Sequence, residues 1–233
     1  MKTFPYARAL IVGSGAGLSA SLARQLSHAG AQVTLAARNT DKLADLSRQI
    51  NARTYACDAS DRAAVANLFE ELDRADATPD LVIFNPSARA RGPIAELDPH
   101  DVERALAVGA LGGFLVAQQA VRRMLPKGHG AVVFTGASAS VKGFALSAPF
   151  AMAKFALRGL AQSMARELHP KGIHIGHFVI DGGIRSAQRI VPTDAPDSLL
   201  DPEAIAQSYL DLLRQPRNAW TLEVELRPWV ERF

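Results

Sequence analysis

Along the chain, short runs of consecutive apolar residues alternate with longer stretches in which apolar residues recur every three or four positions. The runs at Arg8 to Val12, Gln32 to Ala37, Arg53 to Ala56, Leu81 to Phe84, Ala131 to Thr135 and His174 to Ile180 have the length of strands, and helical patterns fill most of the intervals. Near-continuous apolar strands separated by helices imply a parallel sheet covered on both faces, because a parallel crossover needs a dozen or more residues. The pattern therefore predicts an α/β fold, a doubly wound parallel sheet in a three-layer α/β/α arrangement. From Thr221 to Arg227, Leu222, Val224 and Leu226 alternate with Glu223, Glu225 and Arg227, as in a strand with one buried face closing the sheet at an edge.

The 233 residues suffice for one large domain, 1–233, and no repeat or linker divides them. The loosest stretch, Arg185 to Pro202, is broken by Pro192, Asp194, Pro196 and Asp197, which suits a lid over a pocket. The 26 basic and 23 acidic residues are interspersed and the net charge is only +3, so charge does not by itself argue for nucleic acid, and a small anionic ligand suits the balance equally well. The lone Cys57 excludes an internal disulfide and reads as a core thiol in a reducing compartment. No signal-peptide pattern and no uninterrupted run of about 18 apolar residues is present, so the expectation is a soluble cytoplasmic protein without a membrane partner. His174 and His177 lie at odd spacing on a strand, which sends them to opposite faces and argues for structural roles and against a metal site.

The most specific motif follows the first strand: Gly13-Ser14-Gly15-Ala16-Gly17-Leu18-Ser19, with a helical pattern running on to His28 before Gly30. Glycines at such a turn let the backbone approach a pyrophosphate, whose charge is stabilised by free N–H groups at the helix start. It parses as GxGxxA from Gly15 to Ala20, or as GxxxGxG from Gly13 with Ser19 in place of the last glycine.

In the second parse the chain resembles the short-chain dehydrogenase/reductase family, over essentially its whole length and as an atypical bacterial branch. The resemblance implies a Rossmann-type fold and a nicotinamide dinucleotide cofactor. Where NAD-preferring members place an acid after the second strand, Ala37 is followed by Arg38. A guanidinium can bind a 2′-phosphate that a carboxylate would repel, so Arg38 points to NADP over NAD. Asp58 and Ala59 match the adenine contacts, and in Phe84-Asn85-Pro86-Ser87 only Asn85 is retained from the family's Asn-Asn-Ala-Gly. The implied cofactor residues are Gly13, Ser14, Gly15, Gly17, Leu18, Arg38, Asp58, Ala59, Asn85, Lys154 and, after Asp181-Gly182-Gly183, the backbone near Ile184.

The catalytic positions depart from the family. Standard members carry Tyr-x-x-x-Lys on one helix face, and here those residues are Phe150 and Lys154. The substrate-binding serine corresponds to Ala137 and the relay asparagine to Gly109, so only Lys154 is retained. Ser147, at the wider spacing of enoyl reductases, is not a tyrosine, and Tyr6, Tyr55 and Tyr209 fall in other parts of the sequence. Ser138 and Ser140 remain alternative donors if the loop is shifted, the other reading being polar loop residues that satisfy local backbone. Two functions stay open: an NADP(H)-dependent oxidoreductase of non-standard mechanism on a small carbonyl or alcohol, or a cofactor-binding protein without turnover that acts as a sensor or assembly partner. The resemblance also implies a homodimer or homotetramer, formed through the long helices and the last strand.

Overall fold

The computed structural model describes residues 4–231. Seven parallel strands form one sheet in the order β3-β2-β1-β4-β5-β6-β7: β1 (Arg8–Val12), β2 (Gln32–Ala37), β3 (Arg53–Ala56), β4 (Leu81–Phe84), β5 (Gly130–Thr135), β6 (Ile173–Ile180) and β7 (Glu223–Leu226). β1, β4, β5 and β6 are buried almost throughout, which is why they read as unbroken apolar runs. Register is fixed along the sheet, with Ile11 beside Leu35 on one side and Ile83 on the other.

Helices cover both faces. α1 (Leu18–His28), α2 (Ala44–Ile50) and α7 (Pro202–Leu213) pack on one, and α3 (Arg62–Arg74), α5 (Gly112–Met124) and α6 (Ala148–Leu168) on the other, while α4 (Pro99–Leu106) leads into α5. Three helices are started by an aspartate whose carboxylate accepts backbone N–H bonds: Asp61 for α3, Asp98 for α4 and Asp201 for α7. α4 and α7 also begin with proline, which gives up no needed donor there. The helical run Pro99–Lys127 is apolar and long enough to cross a bilayer, although polar residues interrupt its apolar stretches. Leu115, Val116, Ala120 and Met124 bury it in the core instead.

Strand order reverses between β1 and β4, where the first crossover turns back to one side and the next to the other. In such sheets a crevice opens beyond the carboxyl ends of the strands at that point. The glycine loop after β1 and the Asn85 loop after β4 flank it. Gly13 is required where they meet: its φ is +81°, and a Cβ would lie 2.6 Å from Pro86 N.

The edge strand differs from expectation. β7 is shorter, because the Thr221 N–H donates to Gln215 Oε1 and not to the ladder. Val224 and Leu226 pack on the α7 face as expected. Glu223, expected to face water, instead accepts two bonds from Arg158 of α6 at 2.7 Å and lies 2.9 Å from buried His177 Nδ1. Both faces of this sheet are covered even at the edge, so the polar face of β7 meets a helix. His174 stacks on Trp220 at 4.5 Å and contacts the Thr221 carbonyl, giving both histidines structural partners.

Candidate active site

Three contiguous cavities follow the crevice. The first, about 590 Å³, is bordered by Gly13, Ser14, Arg38, Asp58, Ala59 and Asn85. The second, about 480 Å³, includes Gly17, Leu18, Asn85, Lys154 and Ile184. The third, also about 480 Å³, lies beyond Phe150, between Ser138 and the Phe144 to Leu146 segment. Of the expected cofactor residues, only Gly15 borders none of these, although it lies in the loop that joins the first two.

The helix that begins at this loop is prepared for an anion. α1 has no side-chain cap at Gly17, in contrast to the aspartate caps of α3, α4 and α7, and no acid in its first turn, in contrast to α4 and α7. The N–H groups ahead of Ala20, whose own N–H bonds the Gly17 carbonyl, therefore face the loop at the positive end of the helix dipole. A Cβ at Gly15 or Gly17 would meet nothing within 4 Å, so the protein's own packing does not demand glycine there, whereas close approach of a pyrophosphate would. Ser19, in the place of a third glycine, has a defined role: its hydroxyl donates to the Gly13 carbonyl and accepts from Asn85 Nδ2 at 2.7 Å. Asn85 thereby ties the β4 loop to the glycine loop.

At the far end of the first cavity Arg38 is exposed and Lys42 also borders the space, and the residue directly after β2 is Arg38 and not a carboxylate. Asp58 is held below the usual carboxylate range, mainly by hydrogen bonds from the Ser60 hydroxyl and backbone, with a smaller contribution from Arg38. It organises the turn after β3 and borders the cavity.

Lys154 projects from α6 into the floor of the second cavity, 4% exposed, and its Nζ donates to the Thr135 carbonyl at 2.7 Å. Burial, and then the charge of Arg89, bring its pKa down to about 8. Four residues earlier, Phe150 fills the position where the resemblance puts a tyrosine. The Arg89 guanidinium lies 4.4 Å above its ring centroid and Lys154 Nζ 5.9 Å from it. Two cations thus surround a ring that has no proton to give.

The alternative donors are engaged elsewhere. Ser140 is fully buried, and its Oγ accepts from the Ala137 N–H. Ser138 borders the third cavity, but its hydroxyl is bonded to Asp181. Burial works against ionisation of Asp181, yet bonds from Ser138 and Lys142 and the charges of Lys142 and Arg227 hold its carboxyl below the usual range. Asp181 consequently pins the 138–142 loop to the end of β6. The separation of the tyrosines in sequence does not hold in space for Tyr209: its hydroxyl lies 2.9 Å from Thr135 Oγ1. It approaches from the α7 face, is fully buried against Phe178, and borders none of the three cavities. Burial raises its pKa far above the ordinary phenol value, so it supports the floor and does not replace the missing acid.

Gly109 belongs to a π-helical turn, Ala107–Leu111, and a Cβ there would stand 2.8 Å from Ala153 Cβ on α6. An asparagine does not fit between these helices as they stand. The start of the 185–202 segment, Arg185 to Arg189, borders the second cavity, and its base is held by a bond from the Arg185 N–H to the Leu200 carbonyl, by one from the Leu200 N–H to the Gly183 carbonyl, and by an Arg185–Asp201 ion pair.

Sequence reasoning missed Arg89, which borders all three cavities, and Arg189, which lies over Gly183 in the second. The signal was Ala88-Arg89-Ala90-Arg91, two basic residues in the loop after β4 at the point where strand order reverses.

This arrangement, a glycine loop and an uncapped helix at the reversal of a parallel sheet, defines a doubly wound α/β protein of the dinucleotide-binding class. The short chain dehydrogenase family matches residues 7–189, and the chain belongs to it. A short-chain dehydrogenase from Rhodopseudomonas palustris of known structure is 35% identical, with a TM-score of 0.82 over 96% of this chain and 99% of that one. A metagenomic short-chain oxidoreductase solved with NADP has a TM-score of 0.85 at 24% identity, over 98% of this chain and all of that one. Sorbitol-6-phosphate 2-dehydrogenase of Escherichia coli is 26% identical over 213 residues, 87% of this chain and 82% of that enzyme.

Proposed function

We propose that this protein is an NADP(H)-dependent oxidoreductase that transfers hydride to or from a small carbonyl or alcohol without a tyrosine acid. The observation that carries the reading is the pairing of a phosphate cradle at the start of α1 with Arg38 and Lys42 at the other end of the same cavity, Arg38 and not an acid being the residue directly after β2. When bound, the cofactor would supply the hydride. The α1 N–H groups would hold its pyrophosphate, Arg38 its 2′-phosphate, and Lys154 its nicotinamide ribose. The NADP bound to the metagenomic short-chain oxidoreductase supports NADP as the cofactor.

Orientation then does most of the work, because Phe150 and Ala137 contribute neither an acid nor a hydroxyl donor. Holding the reacting atoms together lowers the barrier without any proton transfer. Of the groups that border the second cavity, the Lys154 ammonium, with its pKa near 8, is the one suited to move a proton at neutral pH, through water. The same substitutions favour a second reading, a cofactor-binding protein that does not turn over. Single-turnover mixing of the NADPH-loaded protein with a panel of aldehydes, ketones and oxo acids decides between them. Slow oxidation of NADPH at 340 nm is expected, and its absence with every acceptor would favour the non-catalytic protein.

The fold and the free, buried Cys57 are consistent with a cytoplasmic location. Leu111 and Phe114, at the start of α5, and Met152 and Phe155, on α6, are exposed apolar side chains. They support association of identical chains through these helices, which sedimentation of the wild type and a Phe114→Lys variant would test.

A further inference from the structure

Positive charge is concentrated where the cleft passes from the glycine loop towards Phe144. Arg89 borders all three cavities, Arg189 the second and Arg91 the third. Among the described residues none of these three guanidiniums forms an ion pair with an acid, whereas neighbouring Arg185 is paired with Asp201. The nearby carboxylate of Asp181 is already engaged by Lys142 and Arg227. Burial, and then the charges of Arg91 and Arg189, work against protonation of Arg89. An arginine keeps its proton regardless, so this crowding is an electrostatic cost that an anion between the groups would relieve.

The third cavity adds shape. Its walls include Phe144, Leu146, Phe150 and Ile180, and no residue of the 13–19 loop reaches it. An anion that bridges Arg89 and Arg91 therefore lies beyond the pyrophosphate cradle. Phe150 carries the Arg89 guanidinium over its ring, 4.4 Å from the centroid, a contact with the π face that uses none of the guanidinium's N–H donors on an acid.

We infer that the substrate is an organic anion with an apolar body, its carboxylate or phosphate held by Arg89 and Arg91 and its body against Phe150, Phe144 and Leu146. Phe150 in this account is a platform for the substrate-binding arginine. The inference deepens the oxidoreductase reading by naming the substrate class, and rests on it for the order of the two ligands.

The test uses probes and not a presumed substrate. Benzoate, phenyl phosphate and neutral benzamide are titrated calorimetrically into wild type, Arg89→Met and Arg91→Met, each with and without saturating NADP+. Saturable binding of either anion to the wild type is expected, with benzamide about tenfold weaker or more, as for loss of a hydrogen bond to charge. Arg91→Met should lose anion affinity by a similar factor and keep its NADP+ affinity. Which anion binds more tightly identifies the head group. Equal binding of benzamide, no saturable anion binding, or an Arg91→Met variant that binds benzoate as well as wild type does would overturn the inference. If both substitutions weaken NADP+ and spare benzoate, the arginines serve the cofactor and the inference is wrong. Failure of NADP+ to bind the wild type would refute the oxidoreductase reading separately, and the cofactor-free titrations would still test the anion site.

Discussion

Replacing Lys154 by methionine should make the unliganded protein more stable at neutral pH while making it a poorer cofactor binder. Lys154 is 4% exposed and its pKa falls from 10.5 to about 8. At about 1.4 kcal/mol per pH unit, folding the protonated lysine costs about 3 kcal/mol. Methionine of similar length removes that cost but leaves the Thr135 carbonyl without the ammonium that bonds it at 2.7 Å, a loss of about 1 to 3 kcal/mol. The net gain is about 1 kcal/mol at pH 7, or about 2 to 4 °C in a chain of this size. The sign of the pH dependence is fixed by linkage: between about pH 8 and 10.5 the unfolded lysine still holds a proton that the folded one has released, so wild-type stability rises with pH in that window. Other groups titrate alike in both proteins, so their difference isolates Lys154. Urea unfolding from pH 7 to 10.5 should show the variant lose its advantage and fall below wild type by about 2 kcal/mol. A variant less stable at pH 7 by an amount independent of pH would refute the argument that burial of the cation dominates. Affinity for NADPH should fall about tenfold, since hydrogen bonds from a charged donor to the ribose are lost.

Glu223→Ala should destabilise the protein by about 2 to 3 kcal/mol in urea unfolding, because the Arg158 bonds are broken and buried His177 is left without its carboxylate. Gly109→Asn should cost about 1 to 3 kcal/mol, since even its Cβ would stand 2.8 Å from Ala153; an unchanged melting temperature would show that the helices separate freely. Phe150→Tyr combined with Ala137→Ser should raise hydride-transfer turnover beyond the product of the single changes, measured at matched NADPH saturation, because acid and oxyanion donor act as a unit. Simple multiplicativity would mean that the two positions do not share a reacting centre.

What was legible in the sequence followed from local physics. β1 to β4 begin and end where their apolar runs do, and the glycine loop declares itself because conformation and ligand approach both demand small residues at fixed spacing. β5 and β6 each begin one residue earlier than the pattern suggested, at Gly130 and Ile173. Relations between distant segments were not legible. Glu223 looked like a solvent residue, because its partners Arg158 and His177 lie 65 and 46 positions away. Arg89 was not singled out, because its surroundings depend on Phe150 and on Arg189, which are distant in the chain. Tyr209 was set aside by its place in the chain, although α7 carries it to Thr135. Gly109 read only as a missing asparagine, when contact with Ala153 also constrains it.

The central claim, that the crevice binds a phosphorylated nicotinamide dinucleotide selected by Arg38, is tested most directly by calorimetric titration of wild type and Arg38→Ala with NADPH and NADH. NADPH should bind wild type more tightly, and the substitution should weaken NADPH by about 1.5 to 3 kcal/mol while NADH barely changes, as expected for loss of hydrogen bonds to a 2′-phosphate. Equal wild-type affinities, a preference for NADH, or an equal loss for both cofactors would contradict it.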